Sequence, residues 1–150
     1  MEATDQLQAG AAMVDITPPP GTHLAGSGAG EHRPAQTVMD PLYAKAIALA
    51  VGDRRVCMVI LDLTIVTGDY TKKIRAGIGA QTGLPPEAIM VQATQTHSAP
   101  SLGHFMLDPD FPLETTAADE YLRGAECAFG DRVAADDPVY LVTQRQKILR

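Results

Sequence analysis

The sequence predicts an α/β domain: a mixed β-sheet with a hairpin and a right-handed βαβ unit, helices packed on the sheet, and a domain left incomplete within 150 residues. Three observations predict it. Tyr43–Val51 and Arg55–Leu63 flank a short polar turn, Gly52-Asp53-Arg54, and read as an antiparallel hairpin. Val56–Leu61 is apolar at every position, as a central strand covered on both faces would be. Gly68–Gly83 then carries apolar residues at helical spacing and leads into a second strand, Ile89–Ala93. Parallel strands joined through a helix cross over right-handedly. The carboxyl ends of Val56–Leu61 and Ile89–Ala93 therefore meet at one edge of the sheet.

Residues 1–8 are polar and read as a disordered tail, with 9–150 as the domain. Ala11–Thr17 reads as a short strand ended by Pro18-Pro19-Pro20-Gly21. Asp15 is expected to brace that turn, since a short carboxylate readily accepts from turn amides. Gly21–Thr37 is a long connection holding four glycines. Its Gly26-Ser27-Gly28-Ala29-Gly30 run has no strand before it and no helix after it, so neither a dinucleotide fingerprint nor a P-loop is supported.

Tyr43–Val51 has helix-favouring Ala, Leu and Lys, yet its larger side chains share one parity, which favours strand. Asp62 follows the central strand directly, a position where α/β folds place active-site or loop-bracing carboxylates. In Gly68–Gly83, Tyr70, Ile74, Gly77/Ile78 and Gln81 form one face, Lys72, Lys73 and Arg75 another. Thr67 or Asp69 caps its start and Gly83 its end. After Ile89–Ala93 comes the polar run Thr94-Gln95-Thr96-His97-Ser98-Ala99-Pro100. A further helix is expected over Thr116–Val133, then a turn at Asp136-Asp137-Pro138 and a strand over Val139–Thr143.

Apolar residues make up 45% of the chain, enough for a core, and the formal charge of −6 argues against nucleic acid as a partner. No run is long enough to span a membrane, and no leader is visible, so the chain reads as soluble and cytoplasmic by default. Cys57 and Cys127 both sit in predicted elements and read as small core residues. Four histidines, His23, His32, His97 and His104, have no compact metal-binding spacing, and the residues alone do not assemble a complete zinc site. Ser98 beside His97 is no nucleophile–base pair, because neighbours on an extended chain point to opposite faces. The context of His97 at a strand end still makes it the leading candidate for chemistry.

Taken in order, Asp15-Ile16-Thr17-Pro18-Pro19, Leu24-Ala25-Gly26, Asp40-Pro41-Leu42-Tyr43-Ala44, Leu61-Asp62-Leu63 and Thr94–Pro100 resemble the N-terminal part of the neutral/alkaline (non-lysosomal) ceramidase family. The resemblance covers roughly residues 8 to 107. It implies a zinc-dependent amidohydrolase that cleaves ceramide, a lipid amide, into sphingosine and fatty acid, and a family whose members are often exported. The family pattern at this strand end is Thr-His-Thr-His-Ser-Gly-Pro, its first histidine a zinc ligand and its second beside the substrate. Here Gln95 stands at the first and His97 at the second. The resemblance thus implies a substrate-side catalytic role for His97; Asp62, at the exit of the central strand, is a second catalytic candidate by its position. Thr94, Gln95, Ser98 and Gly26 are the candidate substrate contacts, and the metal ligands are unknown. A fragment or truncated homologue is expected. The rival expectation is a non-catalytic binding module that has lost its metal. Neither reading sets the oligomeric state.

Overall fold

A computed structural model describes residues 7–25 and 34–103. The expected helix over 116–133, the expected strand over 139–143, Cys127, Gly26, His32 and His104 lie outside the described residues. Those described form a four-stranded mixed sheet with the strands in chain order. They are β1 (Gln8–Asp15), β2 (Tyr43–Val51), β3 (Arg54–Leu61) and β4 (Ile89–Ala93), with helix α1 (Gly68–Thr82) between the last two. β1 and β2 pair antiparallel, as do β2 and β3, while β3 and β4 are parallel. The predicted hairpin and βαβ unit are therefore both present.

Several boundaries differ from those expected. β1 starts at Gln8 and pairs there with Ala50, so the strand reaches into the expected tail. It stops at Asp15, whose Oδ1 accepts from the Thr17 amide at 2.8 Å; Thr17 Oγ1 in turn accepts from the Leu42 amide at 2.8 Å. The brace expected of Asp15 ends the strand and ties it to the start of β2. The hairpin loop is shorter than expected. Val51 pairs with Arg54, leaving Gly52 and Asp53 as the two loop residues, and Gly52 at φ 55° suits a turn of type II′. β3 stops at Leu61, where the chain leaves the sheet.

Alternation sorts the strands into two faces. Ala44, Ala46, Cys57, Val59, Leu61 and Ile89 are buried on one face, beneath Ile74 and Ile78 of α1. Fully burying side chains of the Leu, Ile or Val kind is worth roughly 1.5–3 kcal/mol each, so this layer carries the domain. The opposite face corrects one expectation. Val56 is 47% exposed, Ile47 38% and Met90 43%, so among the described residues β3 is covered on one face only. An unbroken apolar run shows that both faces can be buried, not what buries them.

The helix runs as predicted and ends on Gly83, whose left-handed φ of 71° lets its amide donate to the Gly79 carbonyl at 2.9 Å. Thr67 occupies the N-cap position without a side-chain capping bond. Of the expected apolar face, Ile74 and Ile78 are buried while Gln81 is exposed. Lys73 lies over the Tyr70 ring at 4.8 Å.

Cys57 is only 1% exposed, as expected of a small core residue, and burial pushes its thiol from 9.0 up to about 12. The raised value fixes the sign of a pH effect. Above the unfolded value the unfolded chain ionises a thiol that the folded chain keeps protonated. The stability contributed by this group is therefore complete below pH 9.0 and is lost as pH rises toward about 12. Urea midpoints taken at about pH 8 and about pH 10 are expected to fall further in the native sequence than in Cys57→Ala. Equal falls would show that Cys57 ionises alike in both states.

Candidate functional site

The parallel pairing of β3 and β4 aligns Leu61 with Ala93 and sends both strands out at one edge. The Thr94 amide donates to the Leu61 carbonyl at 2.9 Å, continuing the ladder one step beyond β4. Asp62 and Thr94–His97 thus share the carboxyl edge of the sheet, as the βαβ reading requires. Two loops leave side by side there, which is where open α/β sheets place their ligands.

Asp62 is held tightly. Its Oδ2 accepts from the Tyr43 amide at 3.0 Å and from Lys45 Nζ at 3.1 Å, with the side chain 16% exposed. Its own amide donates to the Tyr43 carbonyl at 2.9 Å. In the described residues this carboxylate locks the end of β3 to the start of β2, and Lys45 supplies the countercharge.

The polar run is clamped from beneath by a residue that sequence reasoning missed. Thr64, 4% exposed, donates a shared hydrogen bond from Oγ1 to the carbonyls of Thr96 and Ala99, each at 2.8 Å. The Thr64 amide adds a bond to the Pro100 carbonyl at 3.0 Å. One buried threonine therefore shapes the loop that carries His97. Its only sequence signal is its place just after Leu61-Asp62-Leu63 at a strand exit. Farther on, Leu102 runs beside Val66, and a Cβ on Gly103, which has φ 94°, would run into the Thr67 side chain.

Above this clamp the loop presents its polar side chains outward. Thr94, Gln95, His97 and Ser98 are exposed, while Ala99 and Pro100 are buried. His97 and Ser98 lie in a turn; the Ser98 amide donates to Thr96 Oγ1 at 3.4 Å. Gln95 has φ 61°, in the left-handed region that residues other than glycine seldom adopt. Strain of this kind collects at ligand-binding and catalytic loops.

The long Gly21–Thr37 connection also reaches this edge. Its ends are stitched by Gly21 N–H to the Ala35 carbonyl at 2.7 Å and Ala35 N–H to the Thr22 carbonyl at 2.8 Å. The Ala25 amide then donates to the Ala99 carbonyl at 2.9 Å. The chain is thereby anchored beside the strand-end loop one residue before Gly26, itself outside the described residues. A groove of about 450 Å³ lies along the outer edge of β4, lined by Thr64–Val66, Met90–Ala93 and Gln95.

The donor set does not fit a zinc ion. Among the described residues no group of three His, Cys, Asp or Glu side chains comes together. The Asp62 carboxylate is already paired with Lys45, and Gln95 offers only a neutral amide, a poor zinc ligand beside imidazole. What the loop offers is neutral hydrogen-bonding groups around one exposed imidazole.

The architecture matches solved structures. Neutral ceramidase from Pseudomonas aeruginosa superposes with a TM-score of 0.68 at 20% identity, over 81% of this chain and 20% of that one. A ceramidase complexed with C2 superposes with a TM-score of 0.64 at 21% identity, over 82% of this chain and 20% of that one. The chain thus spans about a fifth of the length of these neighbours, and it shares their fold over that span. No family model and no curated protein sequence matches it. Among the described residues no helix is long and apolar enough to cross a membrane.

Proposed function

We propose that this chain is a segment of a ceramidase-like hydrolase acting on an N-acyl amide such as ceramide, with the Thr94–Ser98 loop as one wall of the substrate site. The observation that carries the reading is the strand-end loop itself. An exposed histidine sits on a clamped, strained loop, in a fold shared with neutral ceramidases. His97 is assigned the substrate side, where an imidazole can donate to the amide carbonyl or shuttle a proton. Thr94, Gln95, Ser98 and Gly26 are assigned to contacting the substrate, the first three by hydrogen-bonding the amide and its neighbouring polar groups. Asp62 acts as a positioning residue through Lys45 and Tyr43. Among the described residues no zinc site forms, so no metal role is assigned to any of them.

The second reading is a binding module that keeps the scaffold and the polar loop without turnover. The neutral amide of Gln95 at the strand end favours it. Metal analysis of the purified protein and an assay of ceramide cleavage, run on the native sequence and on His97→Ala, separate the two. Stoichiometric zinc and turnover that falls by about 10²-fold or more in His97→Ala support the hydrolase. Absent metal and turnover, with amide-lipid binding retained, would select the module.

A further inference from the structure

We infer that the outer edge of β4 pairs antiparallel with the same edge of a second copy of this chain, across a two-fold axis at Val91, so that the two sheets run on as one. β4 ends the sheet among the described residues. Ile89-Met90-Val91-Gln92-Ala93 has no charge and no proline, and it carries no bulge against β3. It therefore lacks the devices that commonly keep an edge strand from pairing. The groove of about 450 Å³ follows this edge and is bounded by Met90–Ala93.

Hydrogen-bond direction selects a second copy as the occupant. The Thr94 amide donates to the Leu61 carbonyl, toward β3. Along a strand the N–H and C=O of one residue point to the same side, and those of the next residue to the other. The backbone groups of Met90 and Gln92 therefore face β3 as those of Thr94 do, and those of Ile89, Val91 and Ala93 face outward. The Ile89 amide is already taken by the Pro86 carbonyl. Among the described residues, the amides of Val91 and Ala93 and the carbonyls of Ile89, Val91 and Ala93 have no partner. A two-fold axis at Val91 sets these groups against one another. Val91 and the partner's Val91 exchange both bonds, and each Ala93 amide meets the other copy's Ile89 carbonyl. Every free amide thereby meets a free carbonyl. The side chains match as well. Val91 stands beside Val91 on the face that α1 covers, and Met90 stands beside Gln92 on the open face. Each chain has a formal charge of −6, yet none of it sits on the strand where the copies meet.

Antiparallel pairing has a consequence for the site. It brings the partner's Pro86–Ala88 turn, with its exposed Glu87, to the Gln95 end of β4. The polar loop, whose own exposed side chains are those of Thr94, Gln95, His97 and Ser98, thereby gains a carboxylate at its edge from the second copy. The inference itself rests on the strand edge and not on the proposed reaction.

The full chain provides the test. A strand of 5 residues makes a small interface, so sedimentation from micromolar to millimolar concentration is expected to show a monomer–dimer equilibrium. NMR contacts between copies carrying different isotope labels are expected to link Ile89–Ala93 of the two chains, centred on Val91. Two double variants at the exposed positions Met90 and Gln92 check the register. Met90→Lys with Gln92→Lys sets like charges directly opposite each other and is expected to weaken the dimer at least about tenfold. Met90→Lys with Gln92→Glu sets opposite charges there and is expected to restore it. A chain that stays monomeric at millimolar concentration overturns the proposal. So does a dimer that both double variants change alike, and so do contacts that join the β4 edge to another segment of the same chain.

Discussion

Thr64→Val is expected to loosen the candidate site without collapsing the sheet. The substitution keeps the branched shape and removes the hydroxyl that the carbonyls of Thr96 and Ala99 share. A buried acceptor left without a donor costs about 1–3 kcal/mol. Here two carbonyls lose one donor, and the Thr64 amide bond to Pro100 remains. The expected result is a loss of about 1–3 kcal/mol in chemical unfolding. Faster amide exchange should be confined to residues 94–100 and to Ala25, which bonds to Ala99. Any activity carried by His97 should drop with it, because the loop that orients the imidazole is no longer fixed. Thr64→Ser restores the donor and is expected to recover most of the stability. If valine proves as stable as threonine and the loop exchanges at its native rate, Thr64 is not the clamp.

Leu61→Ala is expected to have the largest effect on stability, about 2–5 kcal/mol. Leu61 is 1% exposed, pairs with Ala44 on one side and Ala93 on the other, and lies under α1. Small neighbours on both flanks leave little to collapse into the space, which favours the upper part of that range. A loss of this size is a large share of the 5–15 kcal/mol typical of a domain. Ile47→Ala, on the open face where Ile47 is 38% exposed, is expected to cost far less. Comparable losses at the two positions in urea melts would show that the open face is covered in solution.

The elements themselves were legible because their signals are local. Val56–Leu61 and Ile89–Ala93 are dense in apolar and β-branched residues, Ile74 and Ile78 fall at helical spacing, and Gly52 and Gly83 mark a turn and a helix end. The parallel βαβ pattern then puts Asp62 and His97 at one edge of the sheet, because parallel strands end on the same side. The errors had local causes too. β1 begins earlier than expected because Gln8 looks like a tail residue until β2 supplies its partner, Ala50. The hairpin loop is shorter because Arg54 joins the ladder although its side chain is polar.

What the sequence by itself determined is the order and type of the elements between Ala11 and Pro100, and the sheet edge at which the polar loop emerges. The tertiary structure decided what each polar residue there does. Asp62 engages Lys45 and Tyr43, Thr64 grips a loop far along the chain, Ala25 reaches Ala99, and Gln95 takes a left-handed backbone. Periodicity reports only which side of an element is apolar, whereas these bonds join residues that become neighbours after the strands have paired in register. The same physics explains the open face of β3: a sequence shows that a surface is fit for burial, and only the assembled chain shows what lies against it.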